Sequence, residues 1–463
     1  MTKPSRPLHD MLCAAASRAS WHMPGHKGRG PFDASGWMAL DTTELPVTDD
    51  LYQPAGAIAE AQRLYAEAAG AEASLFLHNG ATAGVHALLQ LWARPGDRVL
   101  LPRNAHLSAV NACILGGLLP LWMPVETTLD GYAYLPEETV LAALAAHPEA
   151  KALLLTRPDY FGGCIPLERI VPAARAMGVR VVVDEAHGAH LPWLGQPASV
   201  GALGADAWVQ SVHKTLPGLT GSAVLHLRRE ADRGPALRIL RREQTSSPSF
   251  LLLQSIDDAR AYMQGEGKTA LAQTVTALRA LRECLPRWGY RDAHGLWTET
   301  GYAFDPTRLV VDAPQGGEAL ARALASNGMD VECWDDRRVV CIATCRDTPA
   351  EIGRLGEALA AIPPQSGISA EALPAWELPP IRLSPREAAL AEGEWVSLTA
   401  AVGRIAAQSA GLYPPGIPLV CPGEEITQAV AQTLCGAARS RRFGTEGDLI
   451  WCVKPSSLTW MEP

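Results

Sequence analysis

The sequence lacks the features that mark several large functional classes. Among its 463 residues, 40 Lys and Arg stand against 49 Asp and Glu, and the net charge of −9 leaves no basic excess for general nucleic-acid binding. No apolar run is long enough to span a membrane, and no apolar leader follows the N-terminal residues. The ten cysteines form no CxxC pair, and a chain of this length needs no disulfide framework. We therefore expect a cytoplasmic protein with reduced thiols and neither a nucleic-acid nor a membrane partner.

A phosphate-binding P-loop is also missing, because no GxxxxGK[ST] motif occurs. Compact histidine pairs occur at His22 and His26 and at His187 and His190, but neither pair has further ligands at the spacing of a metal site. The letters DEAH at 184–187 occur in some helicases, which need a P-loop and a basic surface. We expect no metal site and no helicase activity.

The chain does contain a regular alternation of strand and helix patterns. Hydrophobic residues make up 48% of the chain and charged residues 19%, as in a globular protein of two or three domains. The alternation from residue 73 to 227 predicts an α/β domain with a mainly parallel sheet covered on both faces. The predicted strands are 75–77, 98–101, 119–123, 152–156, 179–183, 207–209 and 223–227.

Changes in composition and Gly- and Pro-rich segments divide the chain into three parts. We predict an N-terminal arm at 1–50, a large domain at 51–268 and a smaller C-terminal α/β region at 269–463. Short strands and helices alternate between 290 and 362, and a Pro-rich linker is predicted near 363–385.

A single lysine stands in a short connection between two apolar runs. The runs at 207–209 and 223–227 predict buried strands bounded by Gly, Pro and Ser, and Lys214 lies between them. A lone cation is costly at such a place. A desolvated, partly neutral amine is reactive toward carbonyl groups, so the position suits a lysine that forms a Schiff base.

Two further residues follow predicted strands. Asp184 ends an apolar strand, at the edge where open α/β sheets bind ligands, and 30 residues separate it from Lys214, which leaves room for one more strand. His106 follows the strand at 98–101 and therefore lies near the same edge. Its ring either caps the next helix or stacks on a cofactor.

The third element is a strand, a glycine-containing turn and a helix over residues 74–92, with the helix predicted at 85–92. A helix start with free amides and the Thr82 hydroxyl is an anion site. An imine-forming amine, a carboxylate for the pyridine nitrogen and a helix start for phosphate are what pyridoxal 5'-phosphate (PLP) requires. The order and spacing of these groups predict a PLP site.

Two polar segments have both a structural and a functional interpretation. The acidic, Pro-broken stretch 41–51 is either a solvated loop or part of a pocket for a cationic side chain, for which Glu44 and Asp49 are candidates. The hydroxyl-rich stretch 244–250 either caps the helix after it or offers Thr245 and Ser246 to a phosphate.

Eight short motifs follow one another along nearly the whole chain. They are HMPGHKG at 22–28, TELPVTDDL at 43–51, HNGATAG at 78–84, RNAHLS at 103–108, DEAHGAH at 184–190, SVHKTLPGLTG at 211–221, TSSPSF at 245–250 and YPPGIPL at 413–419. In this order they resemble the ornithine/lysine/arginine decarboxylases, PLP enzymes of the aspartate aminotransferase superfamily with fold type I. The resemblance is to the short form without an N-terminal wing domain.

The resemblance implies a role for each matching residue in the catalytic centre. Lys214 would form the imine with the cofactor, and Asp184 would pair with its pyridine nitrogen. His106 would stack on one face of the ring and Ala186 would pack against the other. His213 or Lys214 would return a proton to the substrate Cα.

The resemblance also implies how the phosphate is held and how subunits associate. The phosphate ligands would be Ala81, Thr82, Ser211 and His213. The Thr245–Ser246–Ser247 loop would reach the neighbouring subunit, because family members are homodimers with shared active sites. Ala81, Leu107 and Gly221 depart from the residues expected at their positions, which would be a hydroxyl residue, a lysine and a larger polar residue.

The expected function is therefore decarboxylation of arginine, lysine or ornithine to the corresponding amine and CO2. Two alternatives remain open at this point. An aminotransferase would use the same cofactor residues with an arginine that clamps the α-carboxylate, and an inactive homologue would act as a binding or regulatory protein. No residue of the sequence decides which basic amino acid is the substrate.

Overall fold

A computed structural model of the protein describes residues 4–16, 36–128, 131–292, 297, 299–364, 378–413 and 416–457. The HMPGHKG motif at 22–28 and most of the predicted linker lie outside these ranges. Within them, no helix is both long and apolar enough to cross a membrane.

A seven-stranded sheet forms the centre of the first half of the chain. The strands are β1 Ala73–Leu77, β2 Arg98–Pro102, β3 Leu119–Met123, β4 Ala152–Thr156, β5 Arg180–Asp184, β6 Ala207–Ser211 and β7 Ala223–Leu227. Across the sheet they lie in the order β1-β7-β6-β5-β4-β2-β3. Strand β7 runs antiparallel to its two neighbours and the other neighbouring strands pair in parallel, so the predicted sheet is confirmed.

Helices cover both faces of this sheet, as expected for strands that are apolar on both sides. The helices are α1 Pro7–Ala16, α2 Ala57–Ala69, α3 Gly80–Gln90, α4 Leu107–Gly116, α5 Glu137–Ala146, α6 Ile170–Ala176, α7 Leu191–Leu194, α8 Val200–Leu203, α9 Val212–Thr215, α10 Arg233–Glu243 and α11 Phe250–Tyr262. One face of the sheet packs against α3, α4 and α10, and the other face packs against α2, α6 and α11.

A second unit follows, with its own hydrophobic core around Leu281, Leu309 and Leu359. The elements are α12 Lys268–Cys284, β8 Arg291–Asp292, β9 Arg308–Asp312, α13 Gly317–Ser326, β10 Cys333–Trp334, β11 Arg338–Ile342 and α14 Pro349–Ala361. The four strands form an antiparallel sheet with the order β8-β9-β11-β10. The predicted alternation of short strands and helices in 290–362 is confirmed.

The last part of the chain has a separate core around Leu398, Ile426 and Ile450. The elements are α15 Pro385–Leu390, β12 Gly393–Ser397, β13 Ala410–Leu412, β14 Ile417–Val420, α16 Gln428–Gly436, β15 Arg442–Phe443, β16 Thr445–Glu446 and β17 Leu449–Val453. The strands form two small sheets with the orders β12-β17-β16 and β14-β13-β15. The domain boundaries after residues 50 and 268 stay predictions.

Helix α3 begins earlier than the sequence pattern indicated, at Gly80 rather than residue 85. The small residues at its start allow close packing on the sheet. A Cβ atom at Gly84 would lie 2.5 Å from Val209 Cγ2 and 2.8 Å from Leu77 Cδ1. The helix start therefore lies directly against the carboxyl ends of the central strands.

This packing makes a test of the fold. We expect Gly84→Ala to lower the free energy of unfolding by about 1–3 kcal/mol, because the added methyl group overpacks the contact with β6. Gly353 in α14 has no atom within 4 Å of the corresponding position. As the matched control, Gly353→Ala should stabilise by up to about 1 kcal/mol. Urea unfolding measures both, and a G84A midpoint equal to wild type would contradict the close packing.

Candidate active site

The predicted site residues lie at one edge of the central sheet. Asp184 is the last residue of β5, and Ser211 is the last residue of β6. His106 follows β2 directly and α3 follows β1. Because parallel strands place their carboxyl ends at the same edge, these residues face a common crevice.

Lys214 lies in α9, the single helical turn that follows β6. Its Nζ is 3.2 Å from His187 Nε2. Burial lowers the pKa of Lys214, the Asp184 carboxylate opposes this shift, and the Arg308 guanidinium adds to it. The site thus holds a half-buried amine within electrostatic reach of a carboxylate.

The hydrogen bonds of His187 bear on the protonation of Lys214. Arg308 Nη2 lies 2.8 Å from His187 Nδ1, and a guanidinium can only donate. Burial holds the pKa of His187 well below its usual value. A ring that accepts at Nδ1 can keep a proton on Nε2 and donate it to the lone pair of Lys214 Nζ. The contact therefore suits the unprotonated amine, the form that attacks carbonyl carbon.

Arg308 is itself held by a buried network. Its guanidinium lies 3.6 Å from Asp305, and both side chains are fully buried. His190 Nε2 donates to Asp305 Oδ1 at 3.0 Å. Although burial acts to raise it, the pKa of Asp305 is lowered by His190 and Arg308, so the carboxylate stays charged opposite the guanidinium.

Asp184 and His106 lie at the ends of β5 and β2, at the same sheet edge as the lysine. Asp184 Oδ1 accepts a hydrogen bond from the Ala186 amide at 3.0 Å, which also fixes Ala186 beside it. His106 is the N-cap of α4, since its Nδ1 accepts from the Ser108 amide at 3.2 Å. Burial lowers the pKa of His106, with Asp184 opposing and Lys214 adding to the shift. The capping interpretation of His106 is confirmed, and stacking on a cofactor stays a prediction.

The predicted anion site adjoins the Lys214 turn. The Gly80 amide donates to the Gly221 carbonyl at 3.0 Å, and His213 Nδ1 donates to the Ser222 carbonyl at 2.9 Å. Among the described residues no side chain caps α3, and its first-turn amides at Ala81 and Thr82 have no intrahelical partner. Gly221 has a φ of 95°, a backbone conformation that favours glycine, which explains why no larger residue stands there.

The two acidic candidates of the segment 41–51 have different surroundings. Asp49 accepts hydrogen bonds from four backbone amides, among them those of Gly56 and Ile58 at the start of α2. Its carboxylate therefore organises the helix start. Glu44 accepts from the Thr43 hydroxyl through Oε2 at 2.7 Å, while its buried Oε1 has no partner among the described residues.

The hydroxyl loop lies beside the residues that precede α3. The Thr245 carbonyl accepts from the Tyr52 hydroxyl at 2.7 Å, and that hydroxyl is 3.4 Å from His78 Nε2. Thr245 and Ser246 are exposed on this chain. Their predicted role at a phosphate stays a prediction.

Several residues near Lys214 did not emerge from the sequence as site residues. The Tyr160 ring lies edge-on to His187 with centroids 5.2 Å apart, and its hydroxyl donates to Glu332 at 2.6 Å. The Tyr413 hydroxyl is 3.4 Å from that of Tyr160. His187 and Tyr413 belong to recognised motifs, whereas Arg308 and Glu332 carry no local signal.

Comparison with known proteins gives the family. The family model "Orn/Lys/Arg decarboxylase, major domain" matches residues 6–308, and "Orn/Lys/Arg decarboxylase, C-terminal domain" matches residues 371–438. The chain belongs to the Orn/Lys/Arg decarboxylase family, and the resemblance noted in the sequence is confirmed.

Individual relatives agree with this assignment. The uncharacterized protein YaaO of Bacillus subtilis strain 168 is 35% identical, covering 92% of this chain and 93% of the relative. Arginine decarboxylase of the same strain is 33% identical, covering 92% of each chain. The crystal structure of the Francisella novicida lysine decarboxylase superimposes with a TM-score of 0.84 at 17% identity, over 97% of this chain and 81% of that chain. The predicted fold type I architecture is confirmed.

The electrostatics of Lys214 can be tested in the cofactor-free protein. Glu332 raises the pKa of Lys214, so Glu332→Gln should lower it further, while Glu318→Gln on the exposed side of α13 should leave it unchanged. Competitive labelling with acetic anhydride across pH, read by peptide mass spectrometry, gives the midpoint for each lysine. The wild-type midpoint of Lys214 should lie below the usual lysine value. A midpoint at the usual lysine value would contradict the proposed neutral amine.

Proposed function

We propose that the protein uses PLP to decarboxylate a basic L-amino acid, arginine, lysine or ornithine, to the corresponding amine and CO2. The observation that carries the proposal is the contact of the Lys214 amine with His187 Nε2 at 3.2 Å, at the sheet edge that also presents Asp184 and the start of α3. Membership of the Orn/Lys/Arg decarboxylase family and the arginine decarboxylase relative support it.

The residues at this edge fit the proposed cofactor. Lys214 would bond its aldehyde carbon, Asp184 would keep its pyridine nitrogen protonated, and His106 and Ala186 would lie against the two ring faces. The phosphate would be held by the first-turn amides of α3 at Ala81 and Thr82, with the Thr82 and Ser211 hydroxyls and His213. When bound, PLP accepts the electron pair that remains at the substrate Cα as CO2 leaves.

Proton return to Cα is assigned to Lys214. His187 Nε2 lies within hydrogen-bond distance of Lys214 Nζ, so the pair can exchange a proton. His213 is the other candidate, and its Nδ1 is already engaged by the Ser222 carbonyl.

Recognition of a basic side chain is assigned to Glu332. One of its oxygens accepts from Tyr160, and its charge acts on Lys214, so it stands within electrostatic reach of the reacting amine. A carboxylate pairs with either an ammonium or a guanidinium group. Glu44, with one buried oxygen unpaired among the described residues, is the second acidic candidate.

Aminotransfer is not favoured by the surroundings of Arg308. A carboxylate clamp must present its guanidinium to the substrate, but Arg308 is fully buried and bound to His187 and Asp305.

We further propose that the active protein is a homodimer of a reducing, cytoplasmic compartment. The exposed Thr245–Ser247 loop beside α3 is the segment expected to reach the partner subunit. All ten cysteines are free thiols.

The cofactor lysine gives the first test of function. Lys214→Ala should lower kcat by roughly 10³-fold or more and abolish the visible imine absorbance of added PLP, because no other amine occupies its place. Lys151→Ala, an exposed lysine before β4, is the control and should retain both. Amine and CO2 release from arginine, lysine and ornithine is the assay. Turnover by K214A at the wild-type rate would refute the assignment.

The second test concerns the substrate class. Glu332→Gln should lower kcat/KM for the preferred basic amino acid by roughly 10- to 100-fold, which is the loss expected when one hydrogen bond to a charged group is removed. Activity on norleucine, which lacks the cationic end, should not fall. An equal loss on both substrates would show that Glu332 supports the site without recognising the side chain.

A further inference from the structure

A buried ion pair links the central sheet to the C-terminal part of the chain. Arg103, directly after β2, donates from its two terminal nitrogens to the two carboxylate oxygens of Glu424, at 2.6 and 2.7 Å. The side chains of both residues are almost completely buried. The same guanidinium donates to the carbonyls of Pro418 at 3.1 Å and Leu419 at 2.9 Å, and lies over the Trp122 ring.

This pair is better suited to setting geometry than to adding stability. Desolvation offsets much of the attraction in a buried ion pair, so an apolar pair of similar size often serves stability equally well. A two-pronged guanidinium–carboxylate bond is directional, however, and the added bonds to two β14 carbonyls fix the guanidinium further. The Arg103 side chain thereby holds the strand end and β14 in one relative position.

At the sheet end, the pair lies next to His106. The Arg103 amide donates to the Met123 carbonyl at 3.0 Å, and the Ala105 amide donates to the Pro102 carbonyl at 3.0 Å. Only two residues, in a tightly bonded backbone, therefore separate Arg103 from His106. A shift of Arg103 moves His106 with it.

At the other end, the pair holds the β13–β14 hairpin. Glu424 accepts from the Cys421 amide at 2.7 Å, directly after β14. Strand β14 pairs with β13, which ends at Leu412 next to Tyr413. The Tyr413 hydroxyl meets Tyr160, whose ring lies against His187. The hairpin thus carries a side chain from the C-terminal unit to the site.

We propose that Arg103 and Glu424 are positioning residues, which place His106 and Tyr413 at the Lys214 crevice through one buried pair. The expected effect of this pair on turnover rests on the proposed function. The placement of His106 also acts on cofactor affinity, which is measured without substrate.

The test compares variants of this pair with a second buried pair. Glu424→Gln and Arg103→Lys each remove the two-pronged bond. Asp257→Asn is the matched control, because Asp257 and Arg260 form an equally buried pair within α11. The R103M/E424M double variant lacks the directional bond and leaves no unpaired buried charge, although its melting temperature should fall because the Pro418 and Leu419 carbonyls and the Cys421 amide lose a partner.

The measured quantities are the melting temperature, the dissociation constant of added PLP, and kcat and KM with a basic amino acid. We expect E424Q, R103K and the double variant to raise the PLP dissociation constant and KM by roughly 10- to 100-fold, the cost of misplacing site groups by about 1 Å. D257N should lower only the melting temperature. If E424Q does not fold, R103K and the double variant still decide the question.

Two outcomes would overturn the proposal: wild-type PLP affinity and KM in the double variant, or the same change in D257N as in E424Q. Weakened PLP binding in E424Q and the double variant, with no decarboxylation of basic amino acids by the wild type, would refute the proposed function and still support the positioning role.

Discussion

The hydrogen bond from Arg308 to His187 is the interaction on which the chemistry of the crevice depends. A guanidinium cannot accept, so this bond forces the imidazole to accept at Nδ1 and to keep its proton on Nε2. Lys214 can then meet a donor at Nε2, which suits the lone pair of its unprotonated form. Burial acts in the same direction, because a charged amine is costly away from water. Charge and solvation together prepare the amine before any carbonyl group arrives.

The crevice is assembled from all three parts of the fold. The central sheet supplies Lys214, Asp184 and His106, and the second unit supplies Arg308 and Glu332. Tyr413 comes from the C-terminal hairpin. Each part has its own hydrophobic core, so the relative placement of the parts decides whether these side chains meet. Buried polar contacts such as Arg103–Glu424 are directional, so they fix the relative orientation of the parts, which apolar packing alone does not.

Carboxylates of one chemical type serve different purposes here because their surroundings differ. The Asp49 carboxylate accepts four amides and shapes the start of α2. Asp184 accepts one amide at the end of a strand and faces the lysine. Asp305 stays charged in full burial because His190 and Arg308 face it. Number and direction of donors, rather than residue type, separate a structural carboxylate from a reactive one.

Much of the large domain could be predicted from local pattern. Apolar runs of strand length gave all seven central strands, because a strand buried on both faces must be apolar along its length. Lys214 and Asp184 stood out because a charge beside such a run has few explanations. The motifs placed the chain in its family, which the comparisons confirmed. The start of α3 was missed by five residues, since tight packing on β6 requires the small residues that otherwise mark a turn.

The sequence by itself therefore determined the sheet, the edge at which the site lies and the lysine at its centre, because these follow from periodicity within short segments. Only the tertiary structure decided what surrounds that lysine. Arg308, Glu332 and Tyr413 are far from Lys214 along the chain, and no local pattern encodes a contact between separately packed units. The contact of Arg308 with His187, which bears on the hydrogen bond between His187 and Lys214, is one such long-range contact.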